Sequence, residues 1–426
     1  MKKKLVLSMV ILIVAVLTSG FKYSHIMSWG GYGTDEGKFN KPKFLAVDNS
    51  GNVFVADTYN CRIQEFSPDG RFIKQWGSRG KGKGQFGGKF PVGPTGIAID
   101  KKGNIYVADN SNERIEKFDS LGGYITEWCG LTEADNISDP YGIAINNDGY
   151  VYVVNSGNHN VVKFTSMGKY VTKWGGSSGN YGSGKGEFRE PQGVAIDQQG
   201  NVYVADTVNN RIQKFSAEGK YLKEWGRTGS EDRNLYLPTG VAVDKEGNVY
   251  VSDAGNDRIQ KFSTDGVFET EWGSEGSDNG HFSDPKGITV DNGGNVYVID
   301  NYSRIQKFGF SIKGEDKDKI NIDYKIPCRN YPEVNGKCFT VYGRTDFYNG
   351  APSMKIWVIG THHLLGVCQN SCSDLSIPDN LAKVIKDSET EVYGKFTVCP
   401  FGDYKEGEMQ MVCIESVEIT KVVEAK

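Results

Sequence analysis

From about residue 22 to residue 310 the chain alternates short apolar runs with turns rich in glycine and aspartate, and the alternation repeats. Six tryptophans mark the period: Trp29, Trp76, Trp128, Trp174, Trp225 and Trp272, at spacings of 47, 52, 46, 51 and 47 residues. A fixed period of this length signals stacked supersecondary units. The clearest unit runs from Pro191 to Gly226. Its four runs are Gly-Val-Ala-Ile-Asp, Val-Tyr-Val-Ala-Asp, Arg-Ile-Gln-Lys-Phe and Lys-Tyr-Leu-Lys-Glu-Trp. Each is short, rich in β-branched and aromatic residues, and bounded by turn residues, so each predicts a strand. We name them a, b, c and d. Between a and b, Asp197-Gln-Gln-Gly-Asn201 predicts a tight turn, with Asp bonding backbone amides and Gly or Asn taking the positive-φ position. Further units open at Pro42, Pro94, Pro140, Pro238 and Pro285, making six.

Four antiparallel strands per unit, repeated radially, predict an all-β, six-bladed β-propeller. The last unit stops after strand c, at Phe308, and an orphan strand d from Tyr23 to Trp29 precedes the first. The N-terminal strand is therefore expected to complete the last blade. Closure of this kind removes an exposed strand edge.

The pattern Pro-x-Gly-(Ile/Val)-Ala-(Ile/Val)-Asp, then Gly-Asn-(Val/Ile)-Tyr-Val-Ala-Asp-x-x-Asn-x-Arg-Ile-x-Lys-Phe, resembles the NHL repeat over about residues 22–310. The resemblance implies a propeller used mainly as a binding platform. Some members of that family bind protein or RNA, and a few distant propellers are metal-dependent hydrolases or lyases. It also implies that the d–a and b–c loops share one face and that the start of strand a rims the central channel.

Each unit ends strand b with Asp and opens strand c with Arg: Asp57/Arg62, Asp109/Arg114, Asp206/Arg211, Asp253/Arg258 and, one residue shorter, Asp300/Arg304. The third unit has Asn155 and Asn160 instead. Acid and base are lost together, so the two are expected to pair within their own blade as scaffold. The residue after the blade proline varies within an otherwise rigid repeat: Lys43, Thr95, Tyr141, Gln192, Thr239 and Lys286. These six are the candidate ligand contacts. Phe39, Phe86, Phe188 and Phe282, in the d–a loops, are expected to pack those loops down. His159 and His281 lie in loops of opposite blades, and His25 holds an aromatic slot of a strand d. Related metal-dependent propellers place convergent Glu, Asp, Asn or His at the strand a starts, and this chain has none there. No catalytic residue, metal or cofactor is therefore assigned, and the expected function is non-catalytic binding of a protein, glycan or small ligand. The alternative is a metal-dependent, lactonase-like hydrolase or a lyase.

The N-terminus adds a location. Met1-Lys-Lys-Lys4, an apolar run from Leu5 to Leu17 and Thr18-Ser-Gly20 read as a signal peptide over residues 1–20. The protein is expected to be secreted or extracytoplasmic, with membrane contact only through an uncleaved anchor. A net charge of −4 argues against a nucleic-acid partner, and a monomer is expected.

After the propeller, over residues 21–311, a charged linker spans 312–322 and a cysteine-rich domain 323–426. Its short strands suit a small β-barrel of OB-like shape. Six of the eight cysteines fall here: Cys328, Cys338, Cys368, Cys372, Cys399 and Cys413. In an exported chain they read as disulfides. Cys399–Cys413 and Cys328–Cys338 are plausible pairs, though six cysteines allow 15 connectivities. Cys61 and Cys129 are a further candidate pair within the propeller.

Overall fold

The computed structural model describes residues 21–88, 92–130, 136–176 and 180–312. Beyond these it describes only the strands named below for the C-terminal unit. The predicted signal segment and all of the linker over residues 312–322 except Ile312 lie outside the described residues. The chain divides into two compact units, one comprising Lys22–Phe310, the other including Ser311–Lys426.

The first unit consists of six four-stranded antiparallel sheets, each ordered a-b-c-d. In blade four the strands are Val194–Ile196, Val202–Asp206, Arg211–Phe215 and Tyr221–Trp225. Strand b is buried along its whole length in every blade. That explains its near-continuous apolar run, since both faces meet a neighbour. Strand d is the outermost and alternates half-buried with exposed residues, as in Phe72–Trp76.

The core lies between the blades rather than within them. Six apolar clusters each join residues of two adjacent blades. In one, Phe39, Leu45, Val55 and Phe66 of blade one meet Tyr297, Ile299 and Ile305 of blade six. The ring closes as the orphan strand requires: Phe21–Gly30 pairs with Arg304–Ile312 as strand d of blade six. Tyr23 anchors it on blade five. Its ring stacks on Trp272 at 4.3 Å, and its hydroxyl lies 2.7 Å from that of Tyr250. His25 fills its aromatic slot by packing edge-on to Phe308.

The d–a loops fold back onto this core. Phe39, Phe86, Phe188 and Phe282 are fully buried, and Ile137 and Leu235 are the buried loop residues ahead of blades three and five. The glycine after the tryptophan makes room for them. At Gly77 (φ +97°) a Cβ would sit 2.5 Å from the Phe86 ring, and at Gly273 (φ +97°) 2.4 Å from Phe282. After Trp128 that position is Cys129, ahead of the smaller Ile137.

In the second unit, Phe339–Asp346, Lys355–Val358 and Leu364–Val367 pair in succession. Leu364–Val367 then runs parallel to Gln410–Glu424, which pairs antiparallel with Thr390–Pro400, and this strand returns to Phe339–Asp346. The five pairings form a closed cycle, with Tyr324–Lys325 added at Gln410–Glu424. Cys399 and Cys413 are register partners across two of these strands. The other four cysteines of this region lie outside the described residues. In the propeller, Cys61 and Cys129 are both free thiols, the first buried and the second exposed. They are not bonded to each other, which corrects the candidate pair named from the sequence.

Candidate functional site

The site is built where strand a starts. The third residue of each blade opening is glycine in five of six copies, for a steric reason. A Cβ on Gly96 would lie 2.0 Å from the Tyr141 carbonyl of the next blade. Gly142 stands likewise against Gln192, Gly193 against Thr239, Gly240 against Lys286 and Gly287 against Lys43. Gly142 and Gly287 also donate their amides to those carbonyls, at 2.8 and 2.9 Å. Between blades one and two, Thr58 Oγ1 donates to the Pro94 carbonyl at 2.8 Å. The six candidate residues therefore follow one another from blade to blade around a single ring.

The ring divides by what its side chains do. Thr95 and Thr239 are buried. Their hydroxyls donate to the Pro140 carbonyl (2.7 Å) and the Pro285 carbonyl (2.8 Å) of the following blades. They join blades rather than face open solvent. Lys43, Tyr141, Gln192 and Lys286 are half-buried. Lys286 pairs with Asp284 at 2.5 Å. The side chains of Lys43, Tyr141 and Gln192 have no hydrogen-bond or ion-pair partner among the described residues. Burial pulls the Lys43 ammonium down from its ordinary value, and the nearby charges of Lys286 and Lys41 add to that while Asp284 opposes it. Burial pushes the Tyr141 hydroxyl up, reinforced by Asp139, Tyr59 and Glu190.

A second ring was not found from the sequence. The residues before the blade prolines, Lys41, Asp139, Glu190, Leu237 and Asp284, all hold left-handed backbone, with φ between 46 and 50°. Residues preceding proline normally avoid compact conformations, and non-glycine residues there carry strain. Side chains of the preceding blade hold several of them in place. The Glu190, Leu237 and Asp284 amides donate to His159 Nδ1 (3.2 Å), Asn210 Oδ1 (2.8 Å) and Asp257 Oδ1 (2.6 Å). The legible signal was a varied, mostly polar residue ahead of each proline.

The repeated acids sit beneath this face. Asp57–Arg62, Asp206–Arg211, Asp253–Arg258 and Asp300–Arg304 pair at 2.7–2.8 Å and Asp109–Arg114 at 3.1 Å, with every carboxylate buried. Each acid also accepts a nearby backbone amide, as Asp206 does from Arg189 at 2.8 Å. Each guanidinium then reaches d–a loop carbonyls: Arg211 donates to Ser183, Gly184 and Glu187. A glutamine on strand c completes the clamp. Gln213 Oε1 accepts from the Gly186 amide, and its Nε2 donates to the Glu187 carbonyl and to Asp206. In blade three Asn155 donates to Asn160 at 3.1 Å in place of the ion pair.

Blade two carries Glu116 in the glutamine position. Its Oε1 accepts from the Gly84 amide at 2.9 Å, the same bond the glutamines make. Oε2 therefore falls where the other blades have an amide nitrogen, facing acceptors, and it has no partner among the described residues. Burial pushes the carboxyl up to about 8, with Asp109 and Glu127 adding to burial and Arg114 and the Gly84 amide opposing it. A protonated Oε2 can donate as the amide does.

Of the candidate histidines, His159 is committed to the Glu190 amide and to an edge-on contact with Tyr181. His281 is exposed, and its carbonyl accepts from Arg304 and Gln306. Among the described residues, no three of His, Cys, Asp or Glu gather as a metal site requires.

The NHL repeat family pattern matches residues 39–66, 92–118, 188–215 and 235–262. These are blades one, two, four and five. The two unmatched blades are the one without an Asp–Arg pair and the one with the shortened b–c loop. Part of the chain is 41% identical over 93 residues to peptidyl-glycine alpha-amidating monooxygenase B of Xenopus laevis, covering 21% of this chain and 11% of that protein. Another match, to Protein brain tumor of Drosophila melanogaster, is 44% identical over 57 residues, 13% of this chain and 6% of that one. The chain thus spans a small fraction of the curated relatives it matches. Among solved structures, a structural genomics protein of unknown function from Bacteroides thetaiotaomicron superposes with a TM-score of 0.51 at 20% identity, covering 68% of this chain and 76% of that one. That likeness concerns the fold alone. The propeller is six-bladed, and four of its blades are NHL repeats.

Proposed function

We propose that this chain is an exported, non-catalytic binding scaffold whose ligand seats over the channel mouth, on the face that carries the d–a loops. One observation carries the reading: Lys43, Tyr141 and Gln192 share one ring, half-buried, with their polar groups unused by the fold. Thr95 and Thr239 belong to the same ring as its inter-blade joints, so the contact set narrows to Lys43, Tyr141, Gln192 and Lys286. Pockets that bind ligands typically combine apolar walls with a few convergent polar groups. Export is supported by the N-terminal charged and apolar pattern. The second unit is proposed to be an OB-like barrel, on its closed five-strand cycle, held by a Cys399–Cys413 disulfide, on the register that sets those residues opposite each other.

The test is a thermal-shift screen of peptides, glycans and small metabolites against the wild type and a Lys43→Thr/Tyr141→Phe/Gln192→Thr variant. Ligands that raise the melting temperature of the wild type but not of the variant support the reading. Ligands that shift both equally place the site elsewhere and overturn it.

A further inference from the structure

The mouth is electrostatically two-sided. Around the ring, blades one and six are neighbours and contribute Lys43 and Lys286. Blades three and four, directly opposite, contribute Tyr141 and Gln192, and a buried threonine separates the pairs on either side. Lys41 stands beside Lys43 and lies 5.2 Å from the centre of the Tyr59 ring. The cationic half thus holds three ammonium groups, with Lys286 and Lys41 both acting on Lys43, and two carboxylates: Asp284, which Lys286 already engages, and Asp257, which accepts the Asp284 amide. The opposite half is bordered by Asp139 and Glu190, which act on Tyr141. Asp284 acts on Lys43 but is engaged by Lys286, and among the described residues Lys43 forms no ion pair of its own.

Placing like charges together in a partly dehydrated site is unfavourable, and an incoming anion relieves it. Hydrogen bonds from ammonium groups to anionic oxygens are among the stronger ones available. We propose, resting on the ring as the site, that the Lys43–Lys286 side of the channel mouth binds the carboxylate or phosphate of a small organic anion. Its remaining polar groups then lie toward Gln192 and Tyr141. The acids on that far side favour a ligand that presents hydrogen-bond donors there, and they select against a second anionic end.

Pyridoxal 5′-phosphate is a direct probe, because it carries an anion and an aldehyde on one small ring. The aldehyde condenses with an unprotonated amine, releasing water, and borohydride reduces the resulting imine to a stable secondary amine. Full-length protein is labelled at low probe concentration, reduced, digested and mapped by mass spectrometry. Label is expected to concentrate at Lys43, with Lys286 second, ahead of the many exposed lysines. Inorganic phosphate or acetate in excess is expected to protect Lys43, and whichever protects at lower concentration identifies the preferred anion. Asp284→Asn should strengthen that protection several-fold, and Lys286→Gln should weaken it by about tenfold. Unfolding midpoints of both variants confirm that they fold. Label spread evenly over surface lysines, or protection by neither anion, overturns the proposal. A neutral ligand that binds the wild type but not Tyr141→Phe would preserve the ring as the site while rejecting an anionic ligand.

Discussion

In blade two, three carboxyls, Asp109, Glu116 and Glu127, surround one guanidinium, Arg114. In adjacent blade three the same positions hold Asn155, Val162, Lys173 and Asn160. Yet both blades form four-stranded sheets in matching register, with Asp109 opposite Arg114 and Asn155 opposite Asn160. Both also deliver an acceptor to a d–a loop amide: Asp109 Oδ1 to Gly87 at 3.0 Å, and Asn155 Oδ1 to Ser138 at 2.6 Å. What the loop needs from strand b is that acceptor, and charge is one way to supply it. The ion pair becomes indispensable only once the arginine is present, because a buried guanidinium must be neutralised.

The largest expected effect follows from this. Asp206→Ala in blade four leaves Arg211 only the half-exposed Glu224 carboxylate, at 2.8 Å, and the loop carbonyls, and should cost about 3 kcal/mol in urea unfolding. Importing three of the four blade-three residues, Asp206→Asn with Arg211→Asn and Gln213→Val, should cost clearly less than that single change. If the triple variant is the worse of the two, charge does more for the loop than neutralise itself.

Next comes blade two. An isolated Glu116 carboxyl titrates at about 4.5, and in the fold it is pushed up to about 8. Between those values the folded state keeps a proton that the unfolded state has lost. The stability this contributes is complete below pH 4.5 and is lost as pH rises toward 8. Glu116→Gln restores the donor that the other blades use. It should match the wild type near pH 5 and exceed it by about 1–2 kcal/mol near pH 9. Equal pH profiles for the two proteins would show Glu116 ionised in the fold.

Smaller still is the reverse graft. Asn155→Asp, Asn160→Arg and Val162→Gln together should change blade-three stability by no more than about 1 kcal/mol, since desolvation of a buried pair offsets its attraction. His159→Ala removes the acceptor for the Glu190 amide and should cost about 0.5–1.5 kcal/mol. It should leave blade two unaffected.

Much of this was legible in the chain. The Trp period gave the blade count, and the orphan strand from Tyr23 to Trp29 gave the closure. The joint loss at Asn155 and Asn160 identified the acids as partners of the arginines. The buried Phe39, Phe86, Phe188 and Phe282 followed from their place ahead of the blade prolines. Other features depended on neighbouring blades, which a single repeat does not show. Thr95 and Thr239 looked like free rim residues because the carbonyls they reach lie 45 and 46 residues away. The left-handed ring before the prolines depends on caps from the preceding blade. Glu116 differs visibly from Gln64, Gln213, Gln260 and Gln306, but its raised titration comes from its burial in the assembled blade, with Asp109 and Glu127 adding to it.

On the function proposed, the fold uses the repeated acids and leaves Lys43, Tyr141 and Gln192 for a ligand. Urea unfolding of the Lys43→Thr/Tyr141→Phe/Gln192→Thr variant, beside Asp206→Ala, tests it most directly. The ring variant should unfold within about 1 kcal/mol of the wild type, and Asp206→Ala should fall well below both. A ring variant destabilised as much as Asp206→Ala would show those three side chains to be part of the scaffold and would contradict the account.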